Sequence, residues 1–227
     1  MDLQTHLRSL LASRSGSAVA HNGLYWRART ATVDTGVAMA VQTTFADISA
    51  VVSLFNGYPV AGGPILIPDF VRLIVTATGA TTSSSEWAVS IDNGNRFSSG
   101  GATLTNTPSF SGQLGKLSQT IVKGGALVMT AASGTRQVVA HGITKVQATP
   151  CFALFDELFF SFSDHNQMTG DALTGGATAG RIGLPVRPIA IAPQDTGILH
   201  IWNVANAVTP PSFEIEVGWY EIDNPNA

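Results

Sequence analysis

Charged residues are scarce in this chain. Asp, Glu, Lys and Arg make up 12% of its 227 residues, against roughly 25% in an average soluble domain. The formal net charge is −3, so the chain as a whole has no basic field that would attract a phosphate backbone, and we expect no nucleic-acid partner. A surface with so few charges favours burial against other subunits, because covering it costs little desolvation.

Cysteine and long apolar runs are also missing. Cys151 is the single cysteine, which excludes an intramolecular disulfide and a zinc site built from cysteines. No run approaches the ~20 apolar residues that a membrane-spanning helix needs, and we expect no membrane partner. Asp2 near the start, with Arg8 and Arg14 inside the following apolar stretch, argues against a signal peptide.

The common motifs of nucleotide-binding and catalytic sites are absent too. The stretch FSGQLGKLS has Phe110 where a phosphate-binding loop needs its first glycine, and Leu117 follows Lys116 where that loop needs Ser or Thr. There is no Gly-x-Ser-x-Gly nucleophile elbow and no His-x-x-x-His pair to hold a metal. We therefore expect no catalytic residues, no cofactor and no metal site, and we predict that the protein is not an enzyme.

The beginning of the chain predicts a short amphipathic helix within an N-terminal arm, residues 1–37. The helix is too short to be stable alone, so its apolar face must pack either on its own domain or on a neighbouring subunit. Both alternatives stay open. The arm residues that we expect to contact a partner are the leucines at helical spacing and two aromatic residues further along: Leu3, Leu7, Leu10, Leu11, Tyr25 and Trp26.

Strand patterns dominate residues 38–227. Runs of β-branched and aromatic residues are separated by Gly, Pro, Ser and Asn, and no helix-length periodic segments alternate with them, which disfavours a parallel α/β sheet. Near the C-terminus, Phe213, Ile215, Val217 and Trp219 alternate with polar residues, as in an antiparallel strand with one buried face. We predict an all-β, antiparallel two-sheet sandwich of jelly-roll type, preceded by the arm with its short helix.

Two acidic clusters raise the question of chemistry. Glu214 and Glu216 lie two residues apart on one strand face, roughly 7 Å from each other, a separation at which paired carboxylates can hydrolyse glycosides. The strand alternation already explains both as a solvated face, and we favour that interpretation. Asp164 and His165 with Asp171 could hold a hard cation, but their spacing matches no defined calcium loop, and a loop turn explains them equally well.

Histidines and tryptophans in strand-like runs are interpreted structurally. His141 and His200 are expected at the rim or in the core, because a catalytic role needs partners in demonstrated geometry. Trp87, Trp202 and Trp219 are expected to anchor the core.

The stretch VSIDNGNRFSSGG predicts a tight turn. Asp92, Asn93 and Gly94 follow a strand run, and Asn and Gly tolerate the positive φ that such turns need. Residues 95–97 are then expected to begin the returning strand. The glycine comes too early for a calcium-binding loop.

Three segments carry a resemblance to a known group of proteins. DFVRLIVTATG, WAVSIDNGNRFSSGG and RPIAIAPQDTGILHIWNVANAVTPPSFEIEVGWYEI resemble virion-associated proteins of tailed bacteriophages. The resemblance spans much of residues 70–101 and 187–222. It implies a β-sandwich subunit of a phage particle, made in the host cytoplasm and incorporated into the virion.

The resemblance also implies a mechanical role. The expected function is that of a capsid decoration, or cement, protein that binds the major capsid protein lattice and stabilises the head, with a homotrimer as the favoured assembly. The alternative is a receptor- or carbohydrate-binding module on a tail or fibre. The expected partners are the major capsid protein or other virion proteins. The resemblance supplies no catalytic residues.

Overall fold

A computed structural model describes residues 25–79, 83–108, 117–148, 152–162, 180–204 and 209–224. Within these ranges every regular element is a β-strand and there is no helix. The strands form two sheets. The fold is therefore an all-β sandwich of two largely antiparallel sheets, which confirms this part of the prediction.

Thirteen strands occur in the described residues, and their bounds, in chain order, are as follows: β1 Tyr25–Arg29, β2 Val37–Ala38, β3 Ser49–Phe55, β4 Ile65–Ala77, β5 Ser83–Asn93, β6 Phe97–Thr103, β7 Thr105–Pro108, β8 Ile121–Met129, β9 Gln137–Ala148, β10 Glu157–Ser161, β11 Arg181–Pro185, β12 Asp195–Val204 and β13 Ser212–Ile222.

The first sheet, sheet A, has the order β11-β10-β4-β13-β1-β7, with the short β2 also paired to β13. The second sheet, sheet B, has the order β6-β8-β3-β12-β5-β9. The β10–β11 pairing is parallel, and the other pairings between these strands are antiparallel. Each sheet has an inner face toward its partner and an outer face on the other side.

The main core lies between the two inner faces. Phe213, Ile215, Val217 and Trp219 of β13 are fully buried in it, as the alternation predicted, because successive strand residues point to opposite faces. Sheet B contributes residues such as Leu199 and Ile201 of β12 to the same core.

The middle of sheet B is covered on its outer face as well. Ile198 of β12 belongs to a second, smaller apolar cluster with Ala50, Leu127 and Met129, against which Phe97 packs. Phe45 lies against the same face, where its ring meets His200 and Trp202 at centroid distances of 5.0 and 5.5 Å. Residues 198–202 are consequently all buried.

The sheet begins earlier in the chain than residue 38. β1 pairs with β13 on one side and β7 on the other, and Trp26 and Ala28 reach the main core. Residues 25–38 therefore include strand structure, although the run YWRAR is short and has two arginines that mask its alternation. The predicted helix and Leu3, Leu7, Leu10 and Leu11 lie outside the described residues.

The chain bends at Gly94, but Asp92 and Asn93 still belong to β5, and the expected returning strand is wrong. Gly94 has φ = 80°, and β6 begins three residues later. β6 pairs with β8, however, and three strands separate it from β5 in the sheet. Residues 94–97 cross the outer face of sheet B, where Gly94 O accepts a hydrogen bond from Thr196 Oγ1 at 2.6 Å.

Candidate functional site

The paired charges of sheet A lie together on its outer face, as one connected set of five residues and the separate pair Arg29 and Glu214. We call the whole group the Arg–Glu ladder, and its members are Arg27, Arg29, Arg72, Arg181, Glu157, Glu214 and Glu216. Arg27 Nη1 and Arg72 Nη1 lie 3.3 and 3.5 Å from the two carboxylate oxygens of Glu216. Arg72 Nη2 donates to Glu157 Oε2 at 3.2 Å. Arg181 Nη2 approaches the other oxygen of Glu157 at 2.8 Å.

The ladder bears directly on the pair Glu214 and Glu216. Both carboxylates are on the outer face of sheet A, and Glu214 lies 3.9 Å from Arg29 Nη2. Both oxygens of Glu216 face guanidinium groups. Ion pairs of a half-exposed strand face explain both residues, and this favours the strand-face interpretation over a glycosidase pair.

An aromatic row lies beside the ladder on the same face and consists of Tyr25, Tyr220, Phe70 and Phe159. The two tyrosine rings lie 4.7 Å apart, and the two phenylalanine rings stack at 5.4 Å. Gly218 leaves room for the row, since a β-carbon there would lie 2.5 Å from both the Phe70 ring and the Tyr25 hydroxyl. Aromatic faces next to guanidinium groups can bind cations, rings or the apolar faces of sugars.

Arginine side chains lie over this row. The Arg27 guanidinium is 5.9 Å from the Tyr25 centroid and 5.8 Å from that of Phe70, and Arg181 lies 5.4 Å from that of Phe159. Tyr25 donates a 2.8 Å hydrogen bond to Asp69 Oδ2.

Burial and the nearby Asp69 carboxylate raise the pKa of the Tyr25 phenol. The same two causes raise the pKa of Tyr220 to about 12. Both hydroxyls therefore remain protonated, and able to donate, at neutral pH.

Tyr25 and Trp26 were expected to contact a partner, but their own chain covers them. Tyr25 is 5% exposed and Trp26 is 3% exposed. Trp26 points into the main core, and Tyr25 packs in the aromatic row. In this conformation neither side chain offers surface to another protein.

On the outer face of sheet B, a serine and a histidine meet below the surface. Ser90 Oγ and His200 Nε2 are 3.1 Å apart, and His200 Nδ1 lies 2.7 Å from the carbonyl oxygen of Ser49. A carbonyl only accepts, so Nδ1 carries the proton and Nε2 accepts from the serine hydroxyl. Burial lowers the pKa of His200.

This contact has the form of a nucleophile and its base, but its surroundings exclude a substrate. Ser90 is 0% exposed and His200 is 1% exposed, and Phe45 covers the ring. The pair holds β5 and β12 to the start of β3, and we interpret it as structural. His200 is a core residue, as the sequence predicted.

The turn after β5 contains a buried ion pair, Asp92 with Arg96, which the sequence did not predict. The pair is 0% and 3% exposed at its side chains. Asp92 accepts hydrogen bonds from Ser133 N at 3.0 Å and Thr135 Oγ1 at 3.1 Å, and Arg96 Nε donates to Thr130 O at 3.0 Å. We call these five residues the corner staple. The signal in the sequence is an acid and a base four residues apart across an Asn-Gly turn.

The hydrogen bonds of the corner staple favour the charged form of Asp92. Desolvation would raise the pKa of Asp92, but hydrogen bonds from Ser133, Arg96 and Thr135 outweigh it and lower that pKa to about 2. The carboxylate is thus ionised at neutral pH and fully engaged, and it is unavailable to a ligand.

An exposed group of side chains lies at the β9 edge of sheet B's outer face. We call Val138, His141 and Ile143 the β9 patch. His141 Nε2 lies 3.3 Å from Glu86 Oε2, and its ring stacks on Trp202 at 5.7 Å. Val138 and Ile143 are 48% and 55% exposed. His141 is thus a rim residue, as predicted.

The three tryptophans of the strand runs are buried, and the predicted place in the core is confirmed for two of them. Trp87 and Trp219 belong to the main core, and Trp202 is covered by Phe45 on the outer face of sheet B.

Across the described ranges, no three His, Cys, Asp or Glu side chains are grouped so that they could hold a metal ion. The candidate cation ligands Asp164, His165 and Asp171 lie outside those ranges. In the part of the chain that the structure describes, no helix is long and apolar enough to cross a membrane.

No known protein family matches this chain, and neither a curated protein nor a solved structure does. The proposal of a function therefore depends on the two sheets and the surfaces described above.

Proposed function

We propose that this protein is a structural component of a bacteriophage virion, and specifically a decoration protein that binds the major capsid protein lattice and stabilises the head. The observation that supports this best is the order of the strands. It is consistent with a jelly roll, an arrangement that is frequent in viral capsid proteins.

The strand order supports the jelly-roll assignment in detail. In a jelly roll of eight strands numbered along the chain, one sheet has the order 1-8-3-6 and the other 2-7-4-5, and neighbours are antiparallel. Taking β1, β3, β4, β5, β9, β10, β12 and β13 as the eight gives β1-β13-β4-β10 in sheet A and β3-β12-β5-β9 in sheet B. β6 and β8 then form an insertion that extends sheet B beyond β3.

Fold alone does not define function, since lectins and enzymes also use jelly rolls. Two surface properties favour a structural subunit. Only 12% of the residues are charged, and the exposed apolar side chains of the β9 patch are of the kind that subunits bury when they assemble.

The mechanism of such a subunit is mechanical. It sits on the outer surface of the capsid, contacts neighbouring capsomers and adds contact area that resists internal pressure. Because the surface residues are small and uncharged, burying them costs little desolvation free energy. The trimer implied by the resemblance would place one subunit against each of three surrounding capsid proteins.

A density map of the intact particle tests this proposal. We expect density for the sandwich between capsomers, at three-fold or quasi-three-fold positions on the head. Density confined to a tail tip would replace decoration with the tail or fibre alternative. If particles purified from infected cells that make this protein contain none of it, a virion role is overturned altogether.

One observation favours the alternative of a carbohydrate- or receptor-binding module. The aromatic row of sheet A lies beside arginines and carboxylates, and this combination can stack on a sugar and hydrogen-bond its hydroxyls. A glycan array separates the two functions. A decoration protein gives no specific signal, whereas a module loses its signal in Phe159→Ala and keeps it in Phe155→Ala, a control at an aromatic residue that is 56% exposed outside the row.

A further inference from the structure

The edges of the two sheets differ in how well they are protected. An edge strand presents unpaired backbone N–H and C=O groups, and natural proteins block such edges with short strands, proline, charge or irregular backbone. Among the described residues, the edge strands are β7 and β11 in sheet A and β6 and β9 in sheet B.

Three of these four edges are blocked. β7 has four residues and ends in Pro108. β11 has five residues, begins with Arg181 in the Arg–Glu ladder and ends in Pro185. β6 contains Gly100 and Gly101 at φ = 82° and 59°, a backbone that cannot continue a regular ladder.

β9 is different. It has twelve residues, which corresponds to an edge roughly 40 Å long, and its sequence QVVAHGITKVQA contains no proline, no acidic residue and one lysine. Three irregularities interrupt its pairing with β5, and the stretch between two of them, Ala140–Ile143, pairs regularly opposite residues 86–89. The β9 patch adds exposed valine and isoleucine side chains beside this edge.

We propose that β9 is a docking site for a second copy of this chain, with the two β9 strands paired antiparallel about a two-fold axis so that sheet B continues from one subunit into the other. The hydrogen-bonding pattern of an antiparallel edge is self-complementary under two-fold rotation, which makes a second copy a fitting partner.

The charges of β9 agree with this occupant. An edge with several like charges would repel its own copy, whereas the patch contains two apolar residues and a histidine that already faces Glu86 of its own subunit. Val138 and Ile143 of the two copies would cover each other and lose the exposure that they have in one subunit.

This contact makes a dimer the basic unit, in place of the trimer that the resemblance implies. It replaces the trimer and its three-fold positions but is independent of a virion role as such, since the edge would pair in any setting. Failure of one proposal therefore leaves the other standing.

Light scattering coupled to size exclusion tests the contact at micromolar concentrations of the full chain. We expect a dimer for the unmodified protein and a monomer for the double variant Val138→Lys/Ile143→Lys, because charges on both strands repel across the axis. The control is Val60→Lys, at a valine that is 69% exposed away from β9, and it should remain a dimer. Circular dichroism establishes that each variant keeps its β fold.

Hydrogen exchange adds a second readout that does not depend on substitutions. We expect the amides of residues 140–143 to exchange several-fold more slowly at high than at low protein concentration, while those of β6 do not change. A monomer across the micromolar range would overturn the proposal. A dimer or trimer that survives the double lysine variant, with no concentration dependence of exchange in β9, would overturn it as well.

Discussion

The outer faces of the two sheets differ in which side chains they carry and in what covers those side chains. On sheet A, the side chains that point away from the core include paired arginines and glutamates in partial contact with solvent, beside the aromatic row. On sheet B, the outward side chains of β12 are Ile198, His200 and Trp202, and other parts of the chain cover them. The comparison teaches that in this protein one sheet meets water with paired charges, while the central strand β12 of the other is covered on both faces.

The two solutions differ in energetic consequence. Half-exposed ion pairs contribute little to stability, because solvent screens them and ordering long side chains costs entropy. The corner staple on sheet B contains an ion pair that is removed from water, and the loss of one partner there leaves a buried charge. Stability should therefore be far more sensitive to changes on the sheet B side.

The largest difference is expected between two arginine substitutions. Arg96→Met in the corner staple should lower the free energy of unfolding by about 3 kcal/mol or more, because Asp92 stays buried without its cation. Arg27→Met in the ladder should cost less than about 1 kcal/mol. Urea unfolding of both variants measures this, and equal losses would contradict the contrast between the faces.

Acid should lower the stability of the protein through the same corner staple. The pKa of Asp92 is about 2 in the folded protein and 3.8 ordinarily. Its depressed pKa thus contributes about 2 kcal/mol of stability above pH 4, which is lost as the pH falls toward 2. The stability difference between the unmodified protein and Asp92→Asn should shrink across that window. A difference that is constant between pH 4 and pH 2 would exclude Asp92 as the source.

His200 should add a second, milder pH dependence. Its pKa is lowered by burial, so only the unfolded chain takes up a proton as the pH falls below its ordinary value of 6.5. Stability is full above that pH and declines below it, by at most about 1.4 kcal/mol per pH unit. His200→Gln should remove this slope, whereas His141→Gln, at an exposed histidine, should keep it.

The smallest effect is expected for Glu216→Gln in the ladder. We expect a loss below about 1 kcal/mol at low salt, which decreases further as added salt screens the pairs. Unfolding at two ionic strengths measures it. If the unmodified protein hydrolyses a glycoside and the folded variant does not, the interpretation of Glu214 and Glu216 as a reacting pair is revived.

Sequence patterns predicted one face much better than the other. In β13 every second residue is apolar, and that period of two placed Phe213, Ile215, Val217 and Trp219 in the core and the glutamates outside. In β12 the run GILHIWNV is apolar nearly throughout, which is typical of a strand buried on both faces. The pattern was sufficient to predict a strand, but it did not indicate which segment covers the second face.

The candidate surfaces were less accessible to prediction. The bend at Gly94 followed from local chemistry, because Gly tolerates positive φ. The pairing of Asp92 with Ser133 and Thr135 depends on a loop some forty residues away, and no local pattern reports such a contact. Tyr25 and Trp26 were assigned to an arm for the same reason, since their pairing partners lie in β13.

The sequence by itself determined that this protein is built of strands, that its residues alternate in β13 and that a turn follows β5, because these features depend on side-chain period and backbone freedom within a few residues. Only the tertiary structure decided the order of the strands, the covering of β12 on both faces and the exposure of the β9 edge. Each of those depends on which distant segments meet, and contacts between distant segments leave no periodic trace in the chain.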